Sequence, residues 1–310
     1  MFNHNLHKEM KNLLTYLFIA WIGLILFGCD KPAPTELIDD TDFAEYEVLG
    51  KDINDEFYSN GFDTTGVTQD LREIPNLIAL SGIKVTDNHG NGDEFSFAQT
   101  IFFDRTQKIF SPGGRFLGYR SVIPGIIRFD DKIARVVPFH IRYRENAVLH
   151  DTTLGNKYVL FSGRKGGMDD FRYRHNSLIN FRLNIFFGEE VNFNIPTPIE
   201  ITGDVELLGS RSNDDLRALL RWNTGDTPDI IIIIGARLRN KDLVMPLYGV
   251  KTIDDGRLLI PSRFINKIPI QHFDKLVITF IRRFENTFDT NGGDLLISSQ
   301  SIHSIIVNLP

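Results

Sequence analysis

The chain has almost no cysteine, since Cys29 is the only one in 310 residues. A single thiol cannot form an internal disulfide bond, so the hydrophobic core alone must hold the fold together. With no partner, the thiol is either a free reactive group or the site of a modification.

An excess of positive charge is also missing. The chain carries 34 Lys and Arg against 40 Asp and Glu, which gives a formal net charge of −6. Proteins that bind nucleic acid present a basic stripe or patch to the phosphates. The charge balance therefore predicts no nucleic-acid partner.

Motifs for catalysis and for metal binding are lacking as well. No Gly-x-Ser-x-Gly elbow occurs, and the glycine-rich residues 163–167 lack the Gly-Lys-Ser/Thr ending of a phosphate loop, so we predict a hairpin loop there. The eight histidines do not have the close spacing of a zinc site. Adjacent carboxylates fall in predicted turns and point to opposite sides or into water, whereas a glycosidase needs two that face each other across a cleft.

The apolar run at residues 13–27 is too short to cross a membrane, because a spanning helix needs about 20 apolar residues. It follows Lys8 and Lys11 and ends in Leu26-Phe27-Gly28-Cys29. A short basic start, an apolar run and a small residue before a cleavage point are typical of a signal peptide. The last four residues resemble the lipobox of bacterial lipoproteins, although Phe27 is bulkier than the usual residue at its position.

The resemblance implies cleavage after residue 28 and attachment of lipid to Cys29, which anchors the protein to a membrane of the cell envelope, at the periplasmic face or the cell surface. Several acyl chains would give stable anchoring, since each buried CH₂ contributes about 0.8 kcal/mol. An uncleaved anchor and an ordinary secreted protein are the alternatives. We assign residues 1–28 to the signal peptide and 29–60 to an acidic flexible tether, or, as an alternative for residues 43–49, an edge strand.

The rest of the chain has the pattern of an all-β protein. It contains 25 Phe, and from about residue 76 it alternates with period two or forms short apolar runs between turn residues. No segment has a convincing helical period, and the best helical candidate is residues 213–220. Predicted strands cover 77–85, 95–103, 125–129, 134–143, 157–161, 179–187, 216–222, 229–238, 243–248, 257–260, 275–282, 295–298 and 304–309.

Pro196 and Pro198 mark a boundary, because two prolines two residues apart keep the chain extended and remove ladder donors. We predict two β-sandwich domains, at residues 61–195 and 196–310. Seven short strands in the second favour an immunoglobulin-like sandwich. The isoleucines at 230–234 would form a central strand, with Leu220 and Trp222 facing the core and Arg221 facing solvent.

Three phrases in this half resemble the C-terminal half of uncharacterised envelope lipoproteins with tandem β-sandwiches. They are Asp-Gly-Arg-Leu-Leu-Ile-Pro at 255–261, Phe-Ile-Asn-Lys-Ile-Pro at 264–269 and Phe-Ile-Arg-Arg at 280–283. The resemblance covers roughly residues 95–309 and implies a sandwich closed by a final hairpin. It implies no activity.

A weak calcium loop is one candidate site, with Asp87, Asn91 and Asp93 as ligands. The Asp, Asn and Gly spacing fits such a loop, but His89 replaces an oxygen ligand and Ala98 stands where the bidentate Glu belongs. A turn between two strands is the alternative. The acidic loop at 289–294 has the same two interpretations.

A second candidate is a ligand-binding surface made of Arg142, Arg144, Arg172, Tyr173 and Arg174. Arginine and tyrosine offer flat faces and polar edges, which suit sugars and anionic glycans. Because residues i and i+2 share one face of a strand, the arginines would otherwise be the solvent side of a half-buried sheet.

These observations predict a lipid-anchored envelope protein that is not an enzyme and acts as a structural, adhesive or ligand-binding module. Its partners would be the membrane, through the lipid on Cys29, and a glycan or another envelope protein. It would need no cofactor, apart from the weak calcium loop. The alternative is an anchored carbohydrate-active or other hydrolytic enzyme, with a site built from loops of the first sandwich.

Overall fold

The computed structural model describes residues 45–48, 76–87, 90–146, 148–163, 170–186, 188, 190–240, 244–289 and 293–310. The predicted signal peptide, Cys29 and most of the tether lie outside these residues. No helix within the described ranges is long and apolar enough to cross a membrane.

The described chain is nearly all β, as predicted. Its helical segments are a 3₁₀ turn at Arg211–Asn213 and one turn of α-helix, α1, at Ser262–Ile265. The strands are β1 (Glu45–Val48), β2 (Asn76–Asp87), β3 (Gly92–Phe110), β4 (Phe116–Val122), β5 (Gly125–Phe129), β6 (Lys132–Ile133), β7 (Arg135–Glu145), β8 (Val148–Gly163), β9 (Ser177–Ile185), β10 (Glu190–Thr197), β11 (Gly203–Leu208), β12 (Arg217–Trp222), β13 (Asp229–Leu238), β14 (Val244–Ile253), β15 (Arg257–Ile260), β16 (Phe273–Phe288) and β17 (Leu295–Asn308).

These strands form one large sheet and two small ones. The large sheet has ten strands in the order β1-β14-β13-β16-β17-β2-β3-β4-β8-β7. One small sheet has four strands, β10-β9-β5-β6, and the other has three, β11-β12-β15. The last strand, β17, runs parallel to β2, so a strand from the C-terminal half pairs with one from the N-terminal half in the large sheet.

Both small sheets pack on the large sheet, each over its own core. Core 1 lies beneath the four-stranded sheet and core 2 beneath the three-stranded sheet. The buried members of core 1 include Ile78, Leu80, Ala98, Ile127, Phe129, Leu160, Phe181, Ile195 and Ile297. Those of core 2 include Ile201, Leu220, Trp222, Ile232, Ile234, Leu258, Phe280, Ile305 and Val307.

A third cluster, core 3, uses the opposite side of β2. Leu77 and Ala79 belong to it, whereas Ile78 and Leu80 belong to core 1. This split follows from the period-two alternation of a strand that is covered on both faces. The near-continuous apolar run at the start of β2 is the sequence signature of that double burial.

Near Pro196 the chain passes from one small sheet to the other, and the division into two domains there stays a prediction. β10 forms an edge of the four-stranded sheet and contains Pro196, and after residues 198–202, here called the connector, β11 forms an edge of the three-stranded sheet. Ile195 belongs to core 1 and Ile201 to core 2.

Several local predictions need correction. Residues 213–220 do not form a helix, because Arg217–Trp222 pairs on both sides as β12. The predicted strands 295–298 and 304–309 are one strand, β17, since the polar residues between them stay in the ladder with β16 and β2. The alternation missed β4, β6, β10 and β11. Of the two interpretations of residues 43–49, the edge strand agrees with the structure, because β1 pairs with β14 at the end of the large sheet.

Candidate functional site

A row of polar side chains separates core 1 from core 2. On the inward face of β17, Ile297 belongs to core 1 and Ile305 to core 2, while Ser299, Ser301 and His303 lie between them on the same face. With Tyr173, His175 and Arg282 they form what we call the polar seam. All these side chains except His175 are buried.

Most of the seam side chains form hydrogen bonds with segments that cross the seam, whereas the buried Nδ1 of His175 has no hydrogen-bond partner among the described residues. The Tyr173 hydroxyl lies 2.9 Å from Ser299 Oγ, and burial raises the pKa of the tyrosine. The backbone N–H of Ile201, in the connector, donates to Ser301 Oγ at 2.9 Å. The seam therefore holds two segments, the one that leads from β8 of the large sheet to β9 and the connector between the two small sheets.

His303 is held by both ring nitrogens. The backbone N–H of Gly203 donates to Nδ1 at 2.8 Å, so the proton of the neutral ring is on Nε2, which lies 3.0 Å from Thr86 Oγ1. Burial and the nearby charge of Lys84 lower the pKa of His303 to about 4. The ring is thus neutral at pH 7, and neither nitrogen is free to act as a general base.

A buried ion pair closes the seam on the core 2 side. Arg282 is wholly buried, and its Nε and Nη2 donate to the Asp254 carboxylate at 2.9 and 3.0 Å. Arg282 also donates to the connector carbonyls of Ile199 and Glu200 at 3.3 Å. Asp254 in turn accepts from Trp222 Nε1 at 2.8 Å. The predicted inward position of Trp222 is confirmed, and the exposed Arg221 faces solvent as predicted.

At its outer end the seam opens into a shallow cleft of about 530 Å³ between β2, β17 and β11. Its lining includes Lys84, Asp87, Asp204 and His303. Lys84 Nζ lies 3.7 Å from Glu200 Oε1. Among the described residues, the side chains of His, Cys, Asp and Glu form no group of three or more that could hold a metal ion.

The candidate calcium loop lies at the rim of this cleft and connects β2 to β3, as the turn interpretation predicts. Asp87 Oδ1 accepts the backbone N–H of Asn91 at 3.0 Å, and the N–H of Asp87 donates to the carbonyl of Asn91 at 2.9 Å. Asp93 pairs with Val85 in the β2–β3 ladder. Residues 88 and 89 lie outside the described chain, as do 290–292 of the second loop, and calcium binding stays a prediction.

The predicted arginine and tyrosine surface is divided between elements. Arg142 and Arg144 lie in β7 of the large sheet, with Asp151 and Leu149 as their β8 neighbours. Arg172 and Arg174 are exposed beside the four-stranded sheet, whereas the Tyr173 ring turns inward to the seam. Arg174 pairs with Asp130 at 2.9 Å.

Sequence reasoning missed the seam, although two signals point to it. Arg282 follows residues 276–281, which are apolar except for Thr279, and Ser298-Ser299-Gln300-Ser301 interrupts an apolar strand. Polar residues inside apolar runs are buried only when they find partners. The partners of these residues come from distant segments, so the sequence pattern alone does not reveal them.

In comparisons with known proteins, no family model matches the chain, and no curated protein matches it either.

Proposed function

We propose that this chain is a lipid-anchored protein of the cell envelope that acts by binding or by structural support and does not catalyse a reaction. The observation that carries the proposal is the apolar run that ends at Cys29, the only cysteine, ahead of an all-β body. A thiol with no partner at a signal cleavage point is best explained as the site of lipid attachment.

The contacts of His303 and Asp254, the buried histidine and carboxylate of the polar seam, favour a structural role for these two residues over catalysis. Both nitrogens of His303 are engaged, and Asp254 is occupied by Arg282 and Trp222. These groups stabilise the packing of one sheet on another. A hydrolase would require a carboxylate pair facing a cleft, and release of reducing sugar from a polysaccharide by the purified protein would favour that alternative.

The anchor is tested by growing cells with a clickable palmitate analogue. We expect label on the wild-type protein and none on Cys29→Ala. Phe27→Ala is the matched control, because it changes the neighbouring residue and leaves Leu26, Gly28 and Cys29 in place, and it should keep the label. Equal labelling of wild type and Cys29→Ala would refute the anchor.

We further propose that residues 61–195 and 196–310 are two β-sandwich halves, the second immunoglobulin-like. In support, β11–β17 divide into a three-stranded sheet, β11-β12-β15, and four neighbouring strands of the large sheet, β14-β13-β16-β17, with core 2 between them. Limited proteolysis in the connector tests this organisation. Fragments that separate under native conditions would support two domains, whereas fragments that stay together would indicate one domain built on the shared sheet.

A further inference from the structure

The outer face of the four-stranded sheet is unusually rich in amides and arginines. Its inward residues, such as Ile127, Phe181 and Ile195, are buried in core 1. Alternation therefore places the residues between them on the opposite face. We call this the amide face, and its members are Ile126, Arg128, Leu178, Asn180, Arg182, Asn184, Glu190, Asn192, Asn194 and Pro196.

The strand register arranges these side chains in rows across the sheet. Arg128 of β5 lies opposite Arg182 of β9, which lies opposite Asn192 of β10. In the next row Asn180 lies opposite Asn194. Directly opposed residues of an antiparallel pair have Cβ atoms about 5 Å apart, so the two guanidinium groups share one patch of surface.

The positive charges of Arg128 and Arg182 repel each other, and neighbouring charges compensate this repulsion only in part. Like charges directly across a strand pair destabilise a sheet. Arg182 Nε lies 3.3 Å from Glu190 Oε1, but Arg128 has no hydrogen bond or ion pair with any residue that the structure describes. The patch therefore keeps an excess positive charge on a protein whose formal net charge is −6.

The amides beside the arginines are held in fixed orientations. Asn180 Nδ2 donates to Asn192 Oδ1 at 2.7 Å and to Asn194 Oδ1 at 3.0 Å, while Asn184 Nδ2 donates to Glu190 Oε2 at 3.2 Å. The Asn194 amide nitrogen is left to donate outward, and Asn180 Oδ1 to accept. Preoriented amides recognise hydroxyl groups with little loss of side-chain entropy.

We propose that the amide face binds an acidic oligosaccharide, with a uronate carboxylate between Arg128 and Arg182 and sugar hydroxyls on the asparagine row. Planar guanidinium groups match the geometry of a carboxylate. A nucleic acid fits less well, since it would need a longer basic stripe than two arginines with a glutamate. This inference deepens the ligand-binding part of the proposed function and moves the site away from Arg142 and Arg144.

The test is calorimetric titration of the purified chain with oligogalacturonate, against a neutral cello-oligosaccharide of the same length. We expect binding of the acidic oligomer only. The double variant Arg128→Gln/Arg182→Gln should weaken its association constant at least tenfold. Arg217→Gln is the control for loss of a strand arginine elsewhere, because Arg217 is an exposed residue of β12 outside the amide face with no described ion pair, and it should change the constant less than twofold.

Asn194→Ala is a second variant that keeps both arginines, and it should weaken binding several-fold without changing the thermal midpoint. Absence of oligogalacturonate binding by wild type, or equal binding by the double variant, would overturn the proposal. Tighter binding of single-stranded DNA than of oligogalacturonate would replace it by a nucleic-acid site. Palmitate labelling at Cys29 is read separately, so failure of the anchor and failure of the amide face are distinguishable.

Discussion

Removing one partner of the buried Arg282–Asp254 pair should cost a large part of the stability of the fold. Asp254 Oδ2 accepts from Arg282 Nε and, at 3.1 Å, from the backbone N–H of Gly225. Asp254→Asn removes the negative charge and places amide hydrogens against the donors of Arg282 or Gly225. Arg282→Met removes the positive charge and keeps an apolar chain of similar length. Each single change leaves the other charge buried without its counterion.

The magnitude follows from the burial. The side chains of Arg282 and Asp254 are 0% and 3% exposed, so water cannot solvate the charge that remains. Loss of one partner of a buried pair costs about 3–5 kcal/mol, whereas replacement of the whole pair by apolar groups is often close to neutral. A typical domain is stable by about 5–15 kcal/mol, so either single variant should approach the limit of folding.

Urea denaturation followed by tryptophan fluorescence measures this loss, since Trp222 donates to Asp254 and packs on Phe280 with ring centroids 6.0 Å apart. The double variant Arg282→Met/Asp254→Asn should be more stable than the two single losses added together, by about 2–3 kcal/mol of coupling. The assignment of a desolvated charge pair would be refuted if each single variant lost less than about 1 kcal/mol of unfolding free energy. It would also be refuted if the loss in the double variant equalled the sum of the two single losses within about 0.5 kcal/mol.

Three further predictions concern core 2 and the seam. Trp222→Ala should destabilise the protein by about 3–5 kcal/mol, and a thermal midpoint within a degree or two of wild type would contradict its core role. His303 has a pKa lowered from 6.5 to about 4, so its neutral ring stabilises the fold above pH 6.5. That contribution, about 3 kcal/mol, should be lost as the pH falls from 6.5 towards 4. In His303→Asn the side-chain Oδ1 can still accept from Gly203, and the unfolding free energy should depend less on pH over this range. Gly225→Ala should cost about 1–3 kcal/mol by urea denaturation, because an added Cβ would overlap the Arg282 guanidinium, and an unchanged midpoint would show that the guanidinium can move aside.

The amino-acid sequence determined the class of the fold and most of its strands. Burial of one strand face leaves a period-two pattern that needs no knowledge of the partner strand, so β5, β13 and β15 match their predicted bounds. The inward position of Trp222 followed from the same alternation. Pro196 located the change of sheet because a proline cannot donate in a ladder.

Only the tertiary structure decided which strands pair and which polar residues are buried. The parallel pairing of β17 with β2 joins residues more than two hundred positions apart, and no local pattern encodes it. Ser301 and Arg282 resemble surface residues in sequence, yet the connector and the Asp254 carboxylate satisfy them inside the protein. Strand alternation depends on a residue and its neighbours, whereas a polar side chain is buried only where distant segments bring it a hydrogen-bond partner.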